Sequence, residues 1–216
     1  MFDDASIQLG VRTAVLVAYQ ALLRGREYCS ARARSLQRGL ASADVRWVSH
    51  AQHFVLKVSG KSDMYNQGEL IPIQRDPVAA VAGAEYCPVR ALQAYIAAEP
   101  ASRVPGQAFF VKRVDGRPSN VVVDDVSQAL KKHATRLGCN VERISSHSIR
   151  VGAAFQLASA GIDWQTIGVR GRWSPVATSK MAQMYARMST QRLDRIASAL
   201  SLAQNPDDCA MFPSYN

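Results

Sequence analysis

The sequence contains few of the features that mark membrane, secreted or zinc-binding proteins. Its 216 residues include four scattered cysteines, at positions 29, 87, 139 and 209, without a Cys-x-x-Cys pair or a Cys/His spacing typical of zinc. No apolar run reaches the ~18 residues that a membrane-spanning helix needs. The N-terminus begins acidic and lacks the basic and apolar regions of a signal peptide. We therefore expect an intracellular protein with reduced thiols and no membrane partner.

Acidic residues are also scarce. The chain has 17 Asp and Glu against 26 Lys and Arg, which gives a net charge of +9 and a pI of about 9.7. A basic balance of this size favours a polyanionic partner, most often nucleic acid. The basic residues are spread along the chain, so we expect a folded basic face. With 48% hydrophobic residues, the composition fits one globular domain with a substantial core.

Hydrophobic periodicity predicts an α+β fold that is mainly helical. Helical spacing of apolar residues recurs in four segments, which are residues 4–24, 87–98, 123–137 and 190–202. Asp3 or Asp4 is expected to cap the first helix, and Gly25 is expected to break the chain after it.

Between the first two helices the period changes. Residues 44–48, 53–58 and 69–73 alternate or are rich in β-formers, which predicts a small three-stranded antiparallel sheet. Further along, the turn formers at Asp115–Pro118 predict a turn.

Most of the chemistry that the sequence offers lies between Ser145 and Arg187. His147 and Arg150 are three residues apart, so a helix that starts near Ser146 places both on one face. Gly161 and a cap at Asp163 then predict a second helix, which completes an αα-hairpin. The ordinary interpretation of the pair is two surface side chains on a helix-turn-helix.

Tyr185 has two interpretations. It shares helical spacing with Met181, Met184 and Met188, which is typical of a core stripe. The alternative is a phenolic nucleophile beside a cationic pocket. Attack on a phosphodiester needs cations on the non-bridging oxygens and an acid for the leaving oxygen. Arg24 and Lys61, the latter in the turn between the second and third predicted strands, supply such groups, although each alone is more ordinary as a solvated charge.

Several segments resemble, in order, the catalytic domain of the tyrosine recombinases (the phage integrase family), especially the crypton and DIRS-like branch of mobile elements. The matching segments are Leu22–Glu27, Gly60–Asp63, Cys87–Leu92, His147–Arg150, Gly171–Trp173 and Tyr185–Arg187. Glu27 stands as the acidic companion of the first arginine. The resemblance implies an integrase-type catalytic domain over residues 1–202 and a C-terminal tail over residues 203–216. It also implies that the N-terminal core-binding domain is absent.

The resemblance further implies DNA strand cleavage and rejoining through a 3′-phosphotyrosine link, without a cofactor or a metal. Arg24 and Arg150 would clamp the phosphate, since a guanidinium donates two parallel hydrogen bonds. The remaining roles fall to His147 in proton transfer, Lys61 as the acid for the leaving 5′-oxygen, Trp173 in positioning, where many members carry His, and Tyr185 as the nucleophile. The spacer from Trp173 to Tyr185 is longer than in the family pattern, with the extra residues around Pro175–Lys180.

The implied partners are double-stranded DNA and further copies of the chain, as a tetramer on DNA. The location would be the nucleus in a eukaryotic host, or the cytoplasm or nucleoid in a prokaryotic one. Three alternatives stay open: a catalytically inactive, integrase-derived DNA-binding protein, a type IB topoisomerase or telomere resolvase, and a helix-turn-helix regulator. The upstream Arg24 and Lys61 segments disfavour the last of these.

Overall fold

A computed structural model describes residues 8–33, 39–50, 52–59, 67–75, 87–104 and 107–183. The chain divides into two compact units between Ala153 and Ala154. Several sequence predictions lie outside the described residues: the cap at Asp3 or Asp4, the hairpin lysine Lys61, the nucleophile Tyr185, the helix at residues 190–202 and the tail at residues 203–216. Among the residues that are described, no helix is both long and apolar enough to span a membrane.

The predicted three-stranded sheet is confirmed. Its strands are β1 (Val45–Val48), β2 (His53–Val58) and β3 (Glu69–Ile73), in the order β1-β2-β3. Both pairs are antiparallel, and Phe54 stands opposite Trp47 on one side and Ile73 on the other. Along β2, the buried residues alternate with more exposed ones, so one face of the sheet joins the core.

Six α-helices have both of their ends among the described residues. They are α1 (Leu9–Gln20), α2 (Gly25–Tyr28), α3 (Pro88–Ala98), α4 (Val123–Arg136), α5 (Ser146–Ser159) and α6 (Trp164–Gly171). The prediction that the first helix continues to residue 24 is wrong, because it ends at Gln20. Gly25 does not break a helix but begins α2. Pro88 opens α3 as predicted, where its missing N–H costs no hydrogen bond.

A second, two-stranded sheet was not expected from the sequence. It consists of β4 (Val111–Val114) and β5 (Arg117–Asn120), joined by the predicted turn. Asp115 and Gly116 form that turn with φ values of 50° and 74°, which is the geometry of a tight hairpin. The first helix packs directly on this hairpin, since a Cβ on Gly10 would lie 1.9 Å from the carbonyl oxygen of Val111.

The core of the first unit lies between α1, α3 and the strands. Its buried side chains include Val17 of α1, Leu92 and Tyr95 of α3, and Leu56 of β2. The Tyr95 hydroxyl donates to the carbonyl of Phe109 at 2.7 Å and accepts the N–H of Val111 at 2.8 Å. Burial raises the pKa of Tyr95, so this hydroxyl stays neutral and holds the start of β4 against α3.

In the second unit, the predicted cap of α6 is confirmed. Asp163 Oδ1 accepts the backbone N–H groups of Gln165 and Thr166, each at 2.9 Å. Residues 175–183 are also helical, so the residues around Pro175–Lys180, where the resemblance places the extra residues of the spacer, form part of a helix. A Cβ on Gly168 would lie 2.4 Å from Thr178 Oγ1, so α6 packs on this helix at van der Waals distance.

Candidate active site

The chain delivers Arg24 at a tight turn between α1 and α2. After α1, Leu22 adopts a left-handed backbone with φ 48°, and the N–H of Leu23 donates back to the carbonyl of Ala18. Arg24 is then extended and directly precedes α2. Glu27 fixes it at two points: Oε2 accepts the Arg24 backbone N–H at 2.7 Å, and Oε1 accepts from Nη1 at 2.8 Å. The side chain and backbone of Arg24 are therefore held by one carboxylate.

Gly25 allows the start of α2 to approach two other helix starts. A Cβ at this position would lie 3.0 Å from Ser146 Oγ at the start of α5 and 3.2 Å from a methyl of Val123 at the start of α4. Ser146 is in turn held by Ser127 of α4, whose hydroxyl accepts the Ser146 N–H at 3.1 Å. Residues that are far apart in the sequence, Arg24 and the beginning of α5, thus become neighbours.

Arg150 of α5 lies in one cluster with Arg24 and Glu27. Its exposed fraction is 2%. Nη1 donates a hydrogen bond to the carbonyl of Leu22 and lies 3.9 Å from Oε2 of Glu27. The Arg24 side chain, by contrast, is 41% exposed. The structure therefore brings the two predicted arginines together around the buried Glu27, one guanidinium open to solvent and the other enclosed.

The charges of this cluster favour an anion. Arg24 and Arg150 contribute two positive charges and Glu27 contributes one negative charge, so the three groups carry one excess positive charge. Because Arg150 and Glu27 are buried, the solvent screens this charge less than it screens surface pairs. The site is suited to an anion whose oxygens accept from a guanidinium fork, such as a phosphate.

His147 lies in the first turn of α5, one turn before Arg150, and it is exposed. Its backbone N–H donates to Ser145 Oγ at 3.3 Å, and the Ser145 N–H donates to Ser148 Oγ at 3.1 Å. These hydroxyls satisfy amide groups that a helix start leaves without partners. His147 and Arg150 thus occupy the predicted positions on one helix, with the histidine at the surface.

Trp173 belongs to the second unit. It follows Arg172, whose left-handed backbone (φ 57°) ends α6. A Cβ on Gly171 would lie 3.0 Å from the Trp173 indole, so the glycine lets the ring fold back over the helix end. The ring also lines a cavity of about 470 Å³ together with other side chains of this unit, which include Trp164, Gln165, Val169, Pro175 and Thr178.

Glu27 and the carbonyl of Leu22 differ in how readily their roles can be predicted from the sequence. Glu27 is recognisable from its spacing to Arg24. The carbonyl of Leu22 is not, because nothing in a Leu-Leu-Arg sequence indicates a left-handed leucine or a main-chain acceptor for a distant arginine. Within the part of the chain that the structure describes, no cluster of His, Cys, Asp or Glu is arranged to hold a metal ion.

Comparison with known proteins gives similarity in structure only. No family model matches the chain, and no curated protein matches its sequence. XerH site-specific recombinase bound to difH substrate, in a pre-cleavage complex, matches 84% of this chain with a TM-score of 0.58 and 13% identity. The post-cleavage complex of XerH with palindromic difH matches 93% with a TM-score of 0.59 and 14% identity. Tn1549 transposon integrase in complex with a circular intermediate DNA matches 83% with a TM-score of 0.52 and 14% identity.

The chain spans about half the length of these structures, covering 44%, 48% and 57% of them respectively. At such low identities the likeness concerns the fold. The α+β architecture, with its small three-stranded sheet, agrees with the fold class expected from the sequence. The chain therefore has the fold found in these site-specific recombinase and transposon integrase structures, which confirms at the level of the fold its resemblance to the catalytic domain of tyrosine recombinases.

Proposed function

We propose that this chain cleaves and rejoins DNA strands through a 3′-phosphotyrosine intermediate, in site-specific recombination or integration. The observation that carries the proposal is the convergence of Arg24 and Arg150 on Glu27. These two arginines lie on separate segments of the chain, and the resemblance to tyrosine recombinases assigns both to the phosphate. A helix-turn-helix regulator has no need for such a pair.

In the proposed reaction, the scissile phosphate enters beside the exposed guanidinium of Arg24 and reaches the enclosed guanidinium of Arg150. Both groups donate to the non-bridging oxygens, on which negative charge develops in the transition state. Arg24 exchanges part of its contact with Glu27 for the phosphate. Glu27 keeps the pair in place, because it also holds the backbone of Arg24.

Tyr185 attacks the phosphorus atom, and the bond from phosphorus to the 5′-oxygen breaks. The tyrosine becomes joined to the 3′-phosphate, and Lys61 donates a proton to the leaving 5′-oxygen. His147 assists the removal of the proton from the phenol group, whose ordinary pKa is ~10. Trp173 packs and positions, since an indole N–H donates a hydrogen bond but cannot act as a base. Rejoining reverses these steps with a new 5′-hydroxyl, so the link conserves the energy of the broken bond.

The proposed partner is double-stranded DNA, consistent with the net charge of +9. The structures of similar fold contain a difH substrate or a circular intermediate DNA, and we extend that partner to this chain. Assembly of several copies on DNA, expected to be a tetramer, and an origin in a mobile element belong to the same proposal.

Covalent trapping tests the proposal without knowledge of the target site. A pool of random duplexes, each with a nick near the centre, is incubated with the protein. Because of the nick, cleavage beside it releases a short fragment, which diffuses away. Adducts that survive denaturation are then isolated, and the enriched DNA is sequenced. We expect adducts with the wild type and none with Tyr185→Phe.

Each alternative has its own outcome. Retarded DNA with both proteins and no adduct at any site would identify a catalytically inactive DNA-binding protein. Adducts accompanied by relaxation of supercoiled DNA, without strand transfer between duplexes, would identify a topoisomerase. Adducts that accompany conversion of a replicated telomere junction to hairpin ends would identify a telomere resolvase.

A further inference from the structure

Leu22 occupies a backbone conformation that leucine rarely adopts. Its φ of 48° lies in the left-handed region, and its side chain is fully buried. The flanking hydrogen bonds explain the geometry: the Leu22 N–H donates to Tyr19 at 3.4 Å and the Leu23 N–H donates to Ala18 at 3.0 Å. This is the pattern of a helix end that is normally completed by glycine or asparagine. A buried leucine at this position is therefore strained.

The carbonyl of the same residue accepts a hydrogen bond from Nη1 of Arg150. Donor and acceptor are 128 residues apart in the sequence, and the arginine is almost completely enclosed. The direction of a carbonyl depends on the backbone angles of its residue. A return of Leu22 to an ordinary negative φ would turn this acceptor away from the guanidinium.

Leu22 also lies two residues before Arg24. The left-handed turn thus has two effects: it carries the chain from the end of α1 to the extended Arg24, and it presents a fixed acceptor to Arg150. Glu27 lies 3.9 Å from the same Nη1 atom, so the guanidinium is held between a carboxylate and a main-chain oxygen. Strain at a site of this kind is tolerated when the surrounding packing imposes it.

We propose that Leu22 is a positioning residue for Arg150, and that its left-handed backbone sets the orientation of the buried guanidinium. The two arginines of the site are coupled through this one turn of the chain. The restraint on Arg150 stands on the structure alone. Its consequence for catalysis rests on the proposed function.

A matched pair of substitutions tests the restraint. Leu22→Ile keeps the number of side-chain atoms but moves the branch from Cγ to Cβ, which disfavours the left-handed region. Leu23→Ile makes the same change at the next residue, which is equally buried but does not have a positive φ. The guanidinium of Arg150 is observed by NMR in protein labelled with ¹⁵N-arginine and assigned with Arg150→Lys.

We expect slow rotation and separate Nη signals for Arg150 in the wild type and in Leu23→Ile, and averaged signals in Leu22→Ile. Unchanged Arg150 signals in a folded Leu22→Ile would overturn the proposal. Leu22→Gly provides a second test if the isoleucine variant does not fold. Glycine adopts the same φ without strain, so it should keep the restrained signals despite the lost side chain, and their averaging would also overturn the proposal.

Covalent trapping measures the catalytic consequence. A misplaced Arg150 should slow adduct formation about ten- to a hundredfold in Leu22→Ile, and the same substitution should have no further effect in an Arg150→Ala background. Equal slowing in both backgrounds would mean a general structural loss and would contradict the coupling. If the NMR restraint is present but the wild type forms no adduct, the positioning stands and the proposed function fails.

Discussion

Arg150 and Glu27 lie side by side in the interior of the first unit, with Nη1 of Arg150 3.9 Å from Oε2 of Glu27. Their side chains are 3% and 5% exposed. Removal of the carboxylate would leave a buried guanidinium without its countercharge, which costs about 3–5 kcal/mol in comparable pairs. We therefore expect Glu27→Ala to lower the free energy of unfolding by about that amount, measured by urea denaturation. Glu27→Gln retains an acceptor for the Arg24 N–H and should lose less. A change of only about 0.5 kcal/mol in Glu27→Ala, as at an ordinary surface position, would contradict the assignment.

The proposed role of Arg24 in binding a phosphate predicts a particular response to salt. Each phosphate contact that is lost should reduce the slope of log K against log salt concentration by about 1. Arg24→Ala should therefore weaken DNA binding with a shallower salt dependence. Arg24→Lys keeps the charge but not the fork of donors, so it should keep the slope and still slow adduct formation. An unchanged slope in Arg24→Ala would place the arginine outside the DNA contact.

Packing in the second unit predicts that a substitution at Gly168 lowers the stability of the protein. A Cβ on Gly168 would lie 2.4 Å from Thr178 Oγ1 and 2.8 Å from its methyl. Gly168→Ala should destabilise the protein by about 1–3 kcal/mol through overpacking, and Thr178→Ala should restore part of this loss. Gly152→Ala is the control: nothing lies within 4 Å of its added Cβ, so replacement in a helix should stabilise by about 0.5–1 kcal/mol. Equal effects at the two glycines would contradict the contact.

The cap of α6 predicts that the stability of the folded state depends on pH in the acid range. Hydrogen bonds from Thr166 and Gln165 lower the pKa of Asp163 below its ordinary value of 3.8. The ionised carboxylate therefore stabilises the folded state in full above pH 3.8, and this contribution is lost as the pH falls through the lower folded pKa. The difference in unfolding free energy between wild type and Asp163→Ala should shrink over that acid range. A difference that does not change between neutral and strongly acidic pH would contradict the cap.

Local patterns predicted most of the elements of the fold. The strands β1, β2 and β3 alternate clearly enough for their bounds to be found within a residue or so. The β4–β5 hairpin was missed, although its turn was predicted, because neither short strand has a clear alternation. Its position depends instead on distant partners such as Tyr95, which no local pattern contains.

The candidate site likewise has features that could be predicted from the sequence and features that could not. The resemblance to tyrosine recombinases implies the grouping of Arg24 with Arg150, and the structure places both around one carboxylate. The enclosure of Arg150 and the left-handed Leu22 could not be predicted, since both arise from packing between segments far apart in the sequence. The predicted end of α1 was wrong for a related reason. The apolar Leu22 and Leu23 continue the helical pattern, but they are buried in the turn that follows the helix.

The most direct test of the central claim identifies the amino acid that becomes joined to DNA. Trypsin should cut after Lys180 and Arg187 and release residues 181–187, in which Tyr185 carries the only hydroxyl side chain. After nuclease digestion of the trapped adduct, mass spectrometry should find this peptide with a nucleotide attached through its 3′-phosphate. A nucleotide on any other peptide, or none on an intact protein that binds DNA, would contradict the account.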